Sequence, residues 1–145
     1  MSDHLKLKAE NSEDLQVISA ITQDAIVRVS DIKFDKDSQT LTLVINRFKQ
    51  EHKNGKTGER TKSGLRFHNV LALQSMGISR VDPNAFTVLL SVDFKSTRPK
   101  PTGELNLIFS GGGQLKAKVE ALEARLVDFA NPRETKSIPL HPLDE

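Results

Sequence analysis

The segment Phe86-Thr87-Val88-Leu89-Leu90-Ser91-Val92-Asp93-Phe94 decides the fold. Phe86, Val88, Leu90, Val92 and Phe94 place an apolar side chain at every second position. Successive side chains of a strand point to opposite faces, so a sustained period of two predicts a β-strand. Downstream, Arg98-Pro99-Lys100-Pro101-Thr102-Gly103 cannot lie in a central strand, because proline donates no ladder hydrogen bond. Leu105, Leu107 and Phe109 alternate again, Ser110-Gly111-Gly112-Gly113 turns the chain, and Leu115, Ala117, Val119 and Ala121 return it. Past Val119 a long strand with a bulge near Ala121 is favoured. A helix remains open there, since Val119, Leu122 and Leu126 also fit a helical stripe of good helix formers.

Upstream the same period recurs. Ala25, Val27 and Val29 share one face, and Ile32 and Phe34 continue on the other parity. That slip at Ser30-Asp31 predicts a bulge or kink. Asp35-Lys36-Asp37-Ser38 reads as a turn leading to a hairpin partner with Leu41, Leu43 and Ile45. From Lys49 to Gly64 the apolar pattern vanishes, and Asn54-Gly55 punctuates what reads as an exposed loop or long hairpin tip. The pattern resumes at Leu65, Phe67, Val70, Leu71 and Leu73. Near the start, Leu5 and Leu7 alternate with lysines. Asn11 or Ser12 caps a short helix over 12–23, with Glu13 and Asp14 in its first turn and Leu15, Ile18 and Ile21 on its buried side. The expected fold is therefore α+β and mostly β. An antiparallel sheet of six or seven strands would be rolled into a barrel or sandwich, with one short N-terminal helix covering an opening or an edge. Residues 1–130 read as a single domain and 131–145, with three prolines, as a loose tail.

Composition narrows the functional classes. The 145 residues are 37% hydrophobic and 28% charged, which suits one core under an ordinary surface. No cysteine is present, so disulfides, zinc-thiolate sites and thiol nucleophiles are excluded. The charged start lacks the apolar core of a signal peptide, and no apolar run spans a bilayer, so a cytoplasmic setting without membrane contact is the expectation. Net charge is +2, but it is segregated: Arg47, Lys49, Lys53, Lys56, Arg60, Lys62 and Arg66 give the 47–66 stretch a charge of +5, leaving −3 elsewhere.

Several motifs dissolve against simpler readings. Gly55-Lys56-Thr57 ends like a P-loop, but Gln50 stands where that motif needs glycine and no helix pattern follows. Ser110-Gly111-Gly112-Gly113 lacks the G-x-S-x-G spacing of a nucleophile elbow, and a hairpin turn explains its glycines. His4, His52, His68 and His141 are scattered, so no metal or other cofactor is expected. Asp35/Asp37, Glu120/Glu123 and Asp144/Glu145 read as turn, solvated face and terminus rather than acid–base pairs.

Certain segments resemble a known family. They are Leu15-x-x-Ile18-Ser19-Ala20-x-x-Gln23-Asp24-Ala25, Asn46-Arg47-Phe48, Leu65-Arg66-Phe67-x-x-Val70, Gly77-Ile78, Phe109-x-Gly111-Gly112-Gly113 and Val119-Glu120-x-Leu122-Glu123-Ala124. Together they are similar to a bacterial, typically alphaproteobacterial, domain-of-unknown-function family numbered 2948, over about residues 5–130. The resemblance implies a single domain in a bacterial cytosol and carries no activity, cofactor or catalytic residue. It draws attention to Gln23-Asp24, Asn46-Arg47 and the glycine run.

Three functional expectations follow. The first is a non-enzymatic binding or adaptor module whose partner is another protein. The second is nucleic-acid binding through the basic 47–66 loop, with Arg47, Lys49, Lys53, Lys56, Arg60, Lys62 and Arg66 as contacts. The third is an enzyme acting on an anionic small molecule, with a pocket drawn from Asp24, Asn46 and His68 beside Arg47 and Arg66.

Overall fold

The computed structural model describes residues 4–49, 59–78 and 82–129. The order of elements is β1 (Lys6–Ala9), α1 (Ser12–Thr22), β2 (Ala25–Asp35), β3 (Thr40–Phe48), β4 (Arg60–Phe67), β5 (Val70–Met76), β6 (Phe86–Ser96), β7 (Gly103–Phe109), β8 (Gln114–Val119) and β9 (Ala124–Asp128). A 3-10 turn, Ser110–Gly112, joins β7 to β8. The strands form one sheet in the order β1-β9-β4-β3-β2-β6-β7-β8-β5, antiparallel throughout.

This corrects the expected architecture on two points. Nine strands are present among the described residues rather than six or seven, and the sheet closes into neither a barrel nor a sandwich, because no ladder joins its edges β1 and β5. It is nevertheless strongly curled. β4 and β5 lie six places apart in the sheet, which in a flat sheet would be about 29 Å at ~4.8 Å per strand. Only His68-Asn69 connects them, and three Cα steps reach about 11 Å at most. The short link Glu120–Glu123 likewise carries the chain from β8 to β9, also six places apart. The two links run side by side: the His68 N–H donates to the Glu123 carbonyl at 2.9 Å and the Glu120 N–H to that of Asn69 at 2.9 Å. Curling brings the inner face of both halves around one hydrophobic cluster, including Ala25, Val27, Leu43, Leu65 and Phe67 from one side and Leu89, Leu107, Leu115 and Ala117 from the other.

The helix is the second element, not the first. Asn11 caps it by accepting the Asp14 N–H at 2.8 Å, and Leu15, Ile18 and Thr22 form its buried side. It packs on β6 and β1, and its Ser19 hydroxyl accepts the Val92 N–H at 2.9 Å. Val92 lies beyond the Ala25–Arg28 stretch where β2 pairs with β6, so the helix satisfies a backbone donor that a strand would otherwise take.

The parity slip expected at Ser30-Asp31 is present: the β2–β3 register shifts between Val27 and Ile32. Two local expectations need correction. The stretch from Lys49 to Gly64, expected as an exposed loop or long hairpin tip, does lie between the paired strands of a β3–β4 hairpin but is itself strand from Arg60 onward, with Arg60 opposite Phe48 and Lys62 opposite Asn46. Residues 50–58 lie outside the described residues. The 119–127 region is neither a bulged strand nor a helix, but two strands broken at Glu120–Glu123, the second of which inserts between β1 and β4. The 131–145 tail also falls outside the described residues.

Candidate functional site

The two faces of β3 and β4 have different chemistry. Leu41, Leu43, Ile45 and Arg47 point inward along β3, and Ser63, Leu65 and Phe67 do so along β4. Inward parity therefore drives Arg47 into the interior, where it is 1% exposed. Its guanidinium forks onto Asp128 of β9, with Nε donating to Oδ1 at 3.2 Å and Nη2 to Oδ2 at 2.8 Å. Nη1 donates to the Phe48 carbonyl at 3.0 Å. The Ser63 hydroxyl donates to Asp128 Oδ1 at 2.6 Å, and the Leu5 N–H to Oδ2 at 3.3 Å. Burial alone would raise the Asp128 pKa. The hydrogen bonds from Arg47 and Ser63, the Arg47 charge and the Leu5 N–H outweigh it and hold the carboxyl below its ordinary value. Arg47 thus binds the protein itself, tying β3, β4, β9 and the segment before β1 together. Asp128 and Ser63 escaped the sequence reading. Their signal was parity: Asp128 ends the inward series Ala124, Leu126, Asp128, and a carboxylate there demands a buried cation.

Asn46 follows the opposite parity and lies on the outer face, beside Arg47 in sequence but across the sheet from it. His68 follows Phe67, which pairs with Leu41 at the far end of β3, about 20 Å from Arg47 at ~3.3 Å per residue. Asp24 is an exposed residue at φ 68° in the turn between α1 and β2. The structure therefore does not gather Asp24, Asn46, Arg47 and His68 into one pocket. Burial lowers the His68 pKa, Glu123 opposes this, and Arg66 and Arg125 add to it. No group of three or more His, Asp or Glu side chains able to hold a metal occurs among the described residues.

What the structure does gather is cations on the outer face of the β1-β9-β4-β3-β2 half. Lys8 pairs with Arg125, Arg125 with Arg66, Arg66 with Thr42, and Thr42 with Lys33. Paired residues of an antiparallel ladder share a face, so four cations and one threonine form a single row across five strands. At ~4.8 Å per strand that row is about 19 Å long. On the same face, Lys6 stands two residues along β1 from Lys8, and Lys62 stands four residues along β4 from Arg66, opposite Asn46; both lysines are exposed. Two carboxylates offset the row: Glu10 lies 3.2 Å from Lys8 and Glu123 lies 3.3 Å from Arg125. Arg66 is steadied by a bond from Nε to the Thr42 hydroxyl at 3.2 Å. Two aromatics join this surface. Arg60 lies 3.8 Å over the Phe48 ring, and Arg28 lies 5.3 Å from the ring of Phe86, which is 62% exposed.

The other half of the sheet differs. There Lys95 faces Glu104, which faces Lys118, and Asp93 faces Asn106, which faces Lys116. Opposite charges alternate, as cross-strand energetics favour.

Of the basic residues expected to act together, Arg60, Lys62 and Arg66 share the outer face, and Arg47 does not. Lys49 lies 3.9 Å from Glu59. Lys53 and Lys56 lie outside the described residues. Lys6, Lys8, Lys33 and Arg125 belong to the face but come from other parts of the chain, where no local run of charge marked them. No helix among the described residues is long and apolar enough to cross a membrane. No curated protein and no solved structure matches the chain. One family model does, that of a protein of unknown function, DUF2948, over residues 5–141, so the chain belongs to the DUF2948 family.

Proposed function

We propose that this protein is a non-enzymatic binding module whose outer basic face receives single-stranded nucleic acid. The observation that carries the reading is the cation row itself. Like charges directly opposite in adjacent strands destabilise a sheet; Glu10 and Glu123 offset part of this at Lys8 and Arg125, and the remaining repulsion among Lys8, Arg125 and Arg66 works against the fold that displays them. A polyanion laid across the row reverses that penalty and releases counterions. The aromatic component favours nucleic acid over an acidic peptide. Phe86 presents an exposed ring at the β6 end of this half, and base–aromatic stacking is tolerant of sequence. On this reading the contacts lie on strands, with Lys62 and Arg66 of the 47–66 stretch among them.

The test is fluorescence anisotropy with labelled single-stranded DNA and RNA of about 20 nucleotides at two salt concentrations. The wild type should bind both and weaken steeply with salt, and Lys8→Glu/Lys62→Glu/Arg125→Glu should abolish binding while leaving the melting temperature nearly unchanged. All three residues are exposed, so their substitution leaves the core intact. Affinity that ignores salt, or a triple variant that binds like the wild type, would end the reading.

A further inference from the structure

The two edges of the sheet are built differently. β1 is four residues long, carries Lys6 and Lys8, and is flanked by α1. β5 is seven residues long, Val-Leu-Ala-Leu-Gln-Ser-Met, and holds no charge and no proline. Charges, prolines and shortness are the usual guards against edge-to-edge pairing, and β5 has none of these three. Its one irregularity, a register shift between Val70 and Ala72, lies at its start and leaves Ala72–Met76 regular against β8. Leu71 and Met76 are also among the exposed large apolar side chains of the chain.

Beside this edge lies a groove of about 440 Å³ whose apolar lining includes Val29, Ile32, Phe34, Leu73, Ile78 and Leu115. Its far wall is the distal half of β2. There, among the described residues, Ile32–Asp35 pair with β3 only, because the β2–β6 ladder ends at Arg28. Among the described residues, Ala72–Met76 of β5 and Ile32–Asp35 of β2 are thus each paired with a strand on one side alone. A strand added to the β5 wall needs one free edge of backbone donors and acceptors at strand spacing, and apolar side chains at alternate positions to face the groove. An extended polypeptide segment has both, whereas a small apolar molecule supplies only the second.

We infer that β5 is the self-association edge of this protein, pairing antiparallel with β5 of a second copy about a two-fold axis. In such an isologous contact each residue faces one drawn from the same short run. A charge in that run would lie close to its own copy with no opposite charge to meet, and Ala72–Met76 contains none. Leu73 and Ser75 lie on the groove side, opposite Ala117 and Leu115 of β8, so each copy brings its own Leu73 to the opening between β5 and β2 of the other. The contact is on the opposite edge from β1 and leaves the basic face uncovered, so it stands or falls independently of nucleic-acid binding.

Sedimentation velocity of the full chain from about 1 µM to about 1 mM tests it, a range that covers small interfaces. A reversible monomer–dimer equilibrium is expected. Ala72→Glu/Gln74→Glu sets new carboxylates opposite Lys118 and Lys116 of the same chain, which favours its own fold, and against their copies across the two-fold axis. That variant should dimerise at least tenfold more weakly with an unchanged melting temperature. The chain has no cysteine, so single cysteines at each position from Ala72 to Met76 give a clean cross-linking scan. Oxidation should give one maximum, at or beside the axis, since a disulfide needs Cα atoms within about 7 Å. A monomer at every concentration, a dimer indifferent to the two glutamates, or cross-linking spread evenly along the strand would overturn the proposal.

Discussion

At the scale of residues, Arg47 shows how parity overrides composition. In the sequence it opens a basic run and reads as the first contact for an anion. In the structure one position of alternation turns it inward to Asp128, while Asn46 beside it stays outside. Removing one partner of such a buried pair leaves an uncompensated charge, so Asp128→Asn should destabilise the fold by ~3–5 kcal/mol. Arg47→Met/Asp128→Leu removes both charges and should cost much less than the sum of the single changes, which urea unfolding of the four proteins measures. The pair also sets a pH dependence. The Asp128 pKa is lower in the folded state than in the unfolded one, so its contribution is complete above the unfolded value, ~3.9, and is lost as pH falls through the depressed folded value. The double variant should lack this component of acid unfolding. His68 acts in a higher window. Its folded pKa is also depressed, so the unfolded state takes up the proton first, and stability should fall as pH drops below ~6.5. His68→Gln should flatten the stability profile between pH 7 and 5, and an unchanged slope would show that the imidazole contributes nothing.

At the scale of elements, the sequence was legible wherever alternation ran unbroken against one core. The α1 cap, the β2–β3 hairpin with its slip of register, and the β7–β8 turn were all read from local signals that the structure preserves. β6 was legible as a strand but not in its orientation. Its register on β7 shifts between Leu89 and Ser91, so Leu89 and Val92 are buried whereas Phe86 and Leu90 are 62% and 37% exposed. Five apolar residues at perfect spacing thus do not share one core face, and Phe86 belongs to the candidate binding surface. β4 was hidden for the complementary reason. Arg60, Thr61 and Lys62 have no apolar alternation to show, because this stretch pairs with β3 beyond the apolar core. Close packing between elements was invisible as well. A Cβ at Gly103 of β7 would enter the Phe94 ring of β6 and come within 2.8 Å of the Lys95 carbonyl oxygen. The ring can turn but the backbone cannot move freely, so Gly103→Ala should cost ~1–3 kcal/mol, detectable as a lower denaturation midpoint with an unchanged slope.

At the scale of the whole molecule, the curl of the sheet accounts for both proposed surfaces. Crossing from β4 to β5 and from β8 to β9 puts strands from distant parts of the sequence side by side, and this insertion of β9 between β1 and β4 is what aligns Lys8, Arg125 and Arg66. The basic run at 47–66 gave the right sign of charge but the wrong geometry, since only pairing over more than 100 residues of sequence completes the row. The same curl stops short of closure and leaves β5 and distal β2 facing an apolar groove. Charge balance separates the halves: alternating signs on the β6-β7-β8-β5 face should make that surface indifferent to polyanions. The salt dependence of oligonucleotide binding tests this division quantitatively. On a single strand each neutralised phosphate contributes about 0.7 to the slope of log affinity against log salt. Replacing Lys62 and Arg125 by Gln should therefore lower the slope by about 1.4 if both meet phosphates, whereas Lys95→Gln/Lys116→Gln on the balanced half should leave it unchanged. Phe86→Ala should weaken binding by ~1–3 kcal/mol with no change of slope, because stacking releases no counterions. Equal loss of slope from both double variants would mean that net charge, rather than the arrangement on one face, attracts the nucleic acid.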